Sequence, residues 1–172
     1  MIKKLINILK YTLIFIIGLS IAFLLYFFIA IQISEPHIDT QLIKKNDLRK
    51  INDSCFTYQD SWLRKNRLGL WEMYVSGSPE ELGIKNGILS QQLISIQEDA
   101  FVAEIKQLIP SDSYLVFLKY ILSYMNRKMP EYIPMEYLKE IKAVSLFASN
   151  DYDFIGDDYK RLLNYHAAHD IG

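Results

Sequence analysis

The hydrophobic and polar positions along this chain fall into three regimes. From Tyr11 to Ser34 run 24 consecutive residues without a charge, bounded by Lys10 and Glu35. At about 1.5 Å of rise per residue, the apolar part from Tyr11 to Ile31 makes a helix of roughly 30 Å, the thickness of a bilayer's hydrocarbon core. Residues 34–60 then mix charges and amides with few large apolar groups, which reads as a linker opened by Glu35-Pro36, with a short helix around Ile38 to Leu48. Beyond residue 60 apolar residues recur with regular spacing and predict packed elements.

Leu68 to Val75, closed by Ser76-Gly77, is aromatic and β-prone and predicts a strand. Ser78-Pro79-Glu80-Glu81 opens a helix by several rules at once. Ser78 can cap it, Pro79 suits the first helical position, and Glu81 stands where a capping-box partner belongs. Leu82, Leu89, Leu93, Ile96 and Ala100 trace a buried stripe, and the helix runs to about Leu108 before Pro110 stops it. A second helix is expected over Ser111 to Lys128, with Leu115, Leu118, Leu122 and Met125 on one face. A third fits Met135 to Ser149, and a fourth follows Gly156-Asp157-Asp158, with Tyr159, Leu162, Leu163 and His166 on one face. The expected fold is therefore mostly α, with one amino-terminal transmembrane helix and one or two strands.

The apolar run competes with a cleavable signal peptide, whose apolar core is about 7 to 15 residues and ends in a small-x-small site. Here the run is longer, Phe23 to Phe28 is bulky, and Ile29-Ala30-Ile31 makes a poor cleavage site. An uncleaved signal anchor over residues 11–33, behind a basic leader over residues 1–10, is the better reading. Lys3, Lys4 and Lys10 lie closer to the span than Lys44, Lys45 and Arg49, which places the amino terminus in the cytoplasm and the remainder in the periplasm or outside the cell.

Composition then narrows the partners. Of the chain's 19 Lys and Arg, three belong to the leader, leaving 16 against 20 Asp and Glu, a net −4 over residues 35–172. That acidic balance argues against a nucleic-acid partner. The single cysteine, Cys55, cannot form an internal disulfide and reads as a small apolar residue. The strand at Leu68 to Val75 also lacks visible partners, since unpaired backbone groups cost on the order of 1 to 3 kcal/mol each when buried. Residues 61–172 are therefore expected to be an incomplete domain.

Candidate chemistry is sparse. Gly83 and Gly87 sit one helical turn apart, where each costs about 1 kcal/mol relative to alanine, which suits a second backbone packed on that face. A phosphate loop would need a different glycine spacing and a lysine ending. Tyr165, His166, His169 and Asp170 form the one cluster with ligand-like residues, and the two histidines are spaced i, i+3. A metal would need further ligands, so a hydrogen-bonded, buried His166 is the expectation, with no metal and no cofactor. Glu80, Glu81, Glu98, Asp99 and Glu104 are expected on the wet face of their helix. No catalytic residue is assigned in this chain.

The stretch WLRKNRLGLWEMYVSGSPEELGIKNG, Trp62 to Gly87, and the segment LNYHAAHDIG, Leu163 to Gly172, resemble the amino-terminal region of acyl-coenzyme A:6-aminopenicillanic acid acyltransferase-like enzymes. These belong to the N-terminal-nucleophile hydrolases. The resemblance implies a four-layer αββα fold in the full-length protein and a precursor that cuts itself before a cysteine. The new terminal amine then acts as base for a thiol that attacks an amide or thioester. That cysteine would follow the histidine-bearing helix, so this chain would be an inactive, prodomain-like part whose partners are the bilayer and a carboxy-terminal catalytic portion. The alternative is a membrane-tethered helical binding module without catalytic activity.

Overall fold

The computed structural model describes residues 2–168. Helix α1 (Ile2–Ala30) is followed by 3-10 turns at Thr40–Leu42 and Lys45–Asp47. Strands β1 (Leu48–Asn52), β2 (Cys55–Tyr58), β3 (Ser61–Lys65) and β4 (Trp71–Tyr74) form an antiparallel sheet in the order β1-β2-β3-β4. Helices α2 (Pro79–Leu108), α3 (Asp112–Met125), α4 (Met135–Ser145) and α5 (Asp158–Ala168) complete the chain. Among the described residues, α1 is the one helix long and apolar enough to cross a membrane.

The sheet corrects the expectation of one or two strands. Three of its four strands lie before Leu68, within residues read as linker or left unassigned. Their turns carry none of the usual glycine signals. Ser54 N donates to Asn52 Oδ1 at 2.8 Å in the first turn, and Gln59 takes the left-handed φ of +53° in the second. β4 is also shorter than the expected Leu68 to Val75. Asn66 Oδ1 accepts from Leu68 N and Leu70 N at 2.9 and 3.0 Å, winding those residues into a turn that closes at Gly69, φ +82°. The strand expected to lack partners is thus hydrogen-bonded to β3 along one of its edges.

Alternation along the strands divides the sheet into two faces. Leu63 pairs with Phe56 and Met73, and this face joins Ile38, Tyr58, Ile84, Ile88, Leu89, Ala143 and Phe147 in the main core. The other face carries Trp62 stacked on Tyr74 at 6.2 Å, with the Arg64 guanidinium 4.3 Å from the Trp62 ring. Tyr74 is half exposed there.

The end of the expected anchor and the start of the expected linker are strapped onto the domain. Ile31 and Ile38 are buried, and Ile33 packs on the second core of Leu138, Ile141, Tyr159, Leu162 and Leu163. Glu35 Oε2 accepts from Lys142 Nζ at 2.5 Å, and Tyr58 Oη accepts from Lys44 N at 3.0 Å. Few apolar residues sufficed because each lands in a slot formed by the packed elements.

Helix α2 starts with the full capping box, Ser78 Oγ accepting from Glu81 N and Glu81 Oε2 from Ser78 N. Its expected stripe holds in part: Leu89 is buried and Leu93 packs on the main core, but Ile84, Ile88, Glu98 and Val102 also face inward, while Ile96 is 56% exposed and Ala100 lies on the surface. The glycines explain the added inward positions. A Cβ on Gly83 would sit 2.4 Å from the Glu140 carbonyl oxygen, and one on Gly87 would sit 2.2 Å from the Phe147 ring. Helix α4 and its exit therefore lie directly on α2, and the flanking isoleucines are drawn in with them. Helices α3 and α4 end sooner than expected, at Met125 and Ser145 rather than Lys128 and Ser149.

Candidate functional site

The second half of α2 turns away from the sheet and meets α3 and α5. Between the three lies a groove of about 300 Å³, walled by Phe101, Ile105, Leu115, Leu118 and Leu122 and edged by Asn126, Asn164, Arg161 and Tyr165. The sequence periodicity that builds α3 as a helix places Leu115, Leu118 and Leu122 along one wall. The Tyr165 ring meets Phe101 edge-on, with centroids 4.9 Å apart.

Below the groove is a buried ion pair. Arg161 Nε donates to Glu98 Oε1 at 2.7 Å, with the two side chains 1% and 2% exposed. The guanidinium also donates to the carbonyls of Gly156 and Ser149, both at 2.7 Å, and reaches Asp153 and Asp158 at 3.3 Å. Arg161 is thus the clasp that holds the Ser149–Asp158 loop against α2. Burial opposes its charge, and the Glu98 hydrogen bond and charge more than restore it, raising its pKa.

The cluster is not fully satisfied. Glu98 Oε2 and the Tyr159 and Tyr165 phenol oxygens are buried without a hydrogen-bond partner among the described residues. Burial pushes the Tyr159 phenol up to about 12. Tyr165 is raised by burial and then by the nearby Glu98 charge, although no hydrogen bond of normal geometry joins the two. Asp99, next along α2, accepts from Tyr152 Oη, which raises that phenol to about 12.

A second charged contact sits at the other end of α2. Lys85 Nζ, buried, donates to Asp60 Oδ1 at 2.7 Å and to the Ser76 carbonyl at 2.6 Å. Hydrogen bonds from Lys85 and Ser76 hold the Asp60 carboxyl down at about 2. This contact locks the β2–β3 turn to α2 through two acceptors on Lys85 Nζ.

The sequence-derived candidates distribute unevenly. Tyr165 borders the groove. His166 is exposed rather than buried, because α5 turns Tyr159, Leu162 and Leu163 inward and leaves position 166 on the water side. His169 and Asp170 lie outside the described residues. Gly83 and Gly87 make the α2–α4 seam. The acidic residues of α2 do not all face water: Glu98 is buried, drawn in by Arg161. Neither Glu98 nor Arg161 stood out in the sequence, since an isolated Glu and an isolated Arg 63 positions apart carry no spacing signal.

Chemically, the groove can hold an apolar chain and orient a polar head toward Asn126 or Asn164. Its lining contains no serine, threonine, cysteine or histidine, and its one lysine, Lys119, donates to the Asp153 carbonyl and Asp157 Oδ1. Among the described residues no three His, Cys, Asp or Glu side chains gather as a metal site. Cys55 is half-buried on the outer face of the sheet. No family model, curated protein or solved structure matches the chain.

Proposed function

We propose that the chain is the membrane-anchored, prodomain-like amino-terminal part of a cysteine N-terminal-nucleophile acyltransferase or amidohydrolase, inactive by itself. The observation that carries this reading is the one-sided sheet. Helices cover the face of Phe56, Leu63 and Trp71, while the opposite face holds the Trp62–Tyr74 stack open. One helical layer on one sheet is half of an αββα sandwich, and a second sheet would bury that aromatic pair. The motif order in Trp62 to Gly87 and Leu163 to Gly172 supports the same reading.

In this scheme α1 is an uncleaved anchor with the amino terminus in the cytoplasm and the domain on the periplasmic or outer side. The nucleophilic cysteine comes from the carboxy-terminal portion. Joining or co-expressing the chain with the reading frame that follows it tests the proposal. Cysteine-dependent self-processing and amide hydrolysis are expected, and the absence of a cysteine domain in any neighbouring segment defeats it.

A second reading, a membrane-tethered binding module, draws on the apolar groove beside Arg161. It predicts a single cooperative unfolding transition for the detergent-solubilised chain alone, followed by tryptophan fluorescence. The first reading predicts a broad transition that sharpens when the missing portion is supplied.

A further inference from the structure

We infer that α3 is a second membrane contact, a helix lying in the outer headgroup layer with its aromatic face against lipid. The inference rests on the reading of α1 as an anchor and adds a surface to it.

Three observations on the outward side of α3 converge. Between Ser113 and Asn126 the only charge is Lys119, whose Nζ is tied inward to the Asp153 carbonyl and Asp157 Oδ1 at 2.7 and 2.9 Å. At 100° per residue the remaining arc presents Tyr114, Phe117, Tyr120, Ile121, Tyr124 and Met125. Phe117 is 54% exposed and Met125 68%, an uncharged patch that a water-facing helix does not carry.

The occupant follows from what this face already touches. Phe27 stacks on Tyr124 at 5.5 Å, and Phe28 meets Tyr120 edge-on at 5.8 Å. Both phenylalanines belong to the last turn of α1, about 5 Å before its apolar run ends at Ile31. Whatever surrounds that turn therefore surrounds the adjoining α3 face. The strap from Ile31 to Ile38 leaves no slack to lift the domain away.

Depth is set by charge. The Arg127 guanidinium lies 4.0 Å from the Tyr124 ring that Phe27 stacks upon, and a guanidinium in hydrocarbon is costly. Tyr124 must then sit at headgroup level, where tyrosines concentrate and where interfacial helices bury their apolar side about 5–10 Å. The chemistry suits a lipid surface: aromatic anchors, an uncharged face, and a basic residue at phosphate height.

The test is depth measurement by spin labelling of the full chain in phosphatidylcholine–phosphatidylglycerol vesicles. Labels go singly at Phe117→Cys, Phe23→Cys and Asp53→Cys in a Cys55→Ser background. Phe117 is surface-exposed and Asp53 is an exposed turn residue, so these substitutions leave the core alone. The expected result is a label at 23 deep in the bilayer, one at 117 about 5–10 Å below the phosphates, and one at 53 in water.

A deep label at 23 with water around 117 overturns the α3 contact and leaves the anchor standing. Water around 23 overturns the anchor and this inference together. Dipolar broadening between labels at 117 would assign the face to a second copy and overturn the lipid assignment. Placing charge at both ends of the face, by Tyr114→Glu with Met125→Glu, should move a label at 117 toward water without shifting the label at 23. No movement counts against the contact.

Discussion

The two halves of α2 solve the same problem, how to hold a long helix against the rest of the protein, in different ways. Near its start the helix gives up side chains: Gly83 and Gly87 let Glu140 and Phe147 rest on bare backbone, with Ile84 and Ile88 filling in beside them. Near its end it buries a charge: Glu98 reaches Arg161, and the neighbouring space stays open as a groove. The first half is a seam of bare backbone, with one buried cation, Lys85, tied to Asp60 beside it. The second is a polar clasp, with Glu98 Oε2 buried and unpartnered among the described residues, beside an apolar groove.

Removing one half of the clasp should be the most damaging change. Arg161→Ala leaves Glu98 buried and uncompensated and is expected to cost about 3–5 kcal/mol, read by denaturant unfolding in detergent. The paired change of Glu98→Leu with Arg161→Leu should recover most of that loss. A double variant as unstable as the single one would show that the loop contacts of Arg161, rather than the buried charge, dominate.

The seam comes next. Gly83→Ala must push the Glu140 carbonyl aside, and a loss of about 1–3 kcal/mol is expected by the same measurement. The same substitution at an exposed helical position should be neutral or better, so an unchanged midpoint would mean that α4 slides freely. Losing the cap is milder: Ser78→Ala should cost about 1 kcal/mol, with Glu81→Gln retaining most of the box.

The smallest effect is titratable. Asp60 is held at about 2 by Lys85 and Ser76, below its ordinary 3.8, so the folded state prefers the ionised form. Stability from this contact is present above pH 3.8 and is lost as pH falls toward 2. Exposure of the carboxylate keeps the size small. Asp60→Asn should remove that slope from the acid arm of a stability-versus-pH curve, while leaving the Glu98–Arg161 clasp intact.

Legibility in the sequence followed the range of the forces involved. The start of α2 was readable to the residue because Ser78, Pro79 and Glu81 act within one turn of each other. The sheet was largely missed. All five residues of β1 are exposed, so no alternation marks it, and the β2–β3 turn is made by Gln59 and Asp60 where a glycine would normally announce a hairpin. The strap from Ile31 to Ile38 looked like the end of the anchor and the start of a linker because its few apolar side chains only acquire meaning once the slots on α4 and α5 exist.

The groove and its clasp were illegible for a related reason. Glu98 belongs by composition to a wet face, and only the arrival of Arg161 from α5 offsets the desolvation that its burial demands. His166 went the other way, since a single turn of α5 separates a buried Leu163 from an exposed position 166.

By itself the sequence determined the apolar helix, the four packed helices and the capped start of α2, because composition and local hydrogen bonding act between residues a few positions apart. Tertiary structure alone decided which strands pair, which face of α2 turns inward, that the exit from α1 is bound to the domain, and where a groove opens. Those depend on surfaces brought together from distant parts of the chain, and no window of neighbouring residues contains both sides of such a contact.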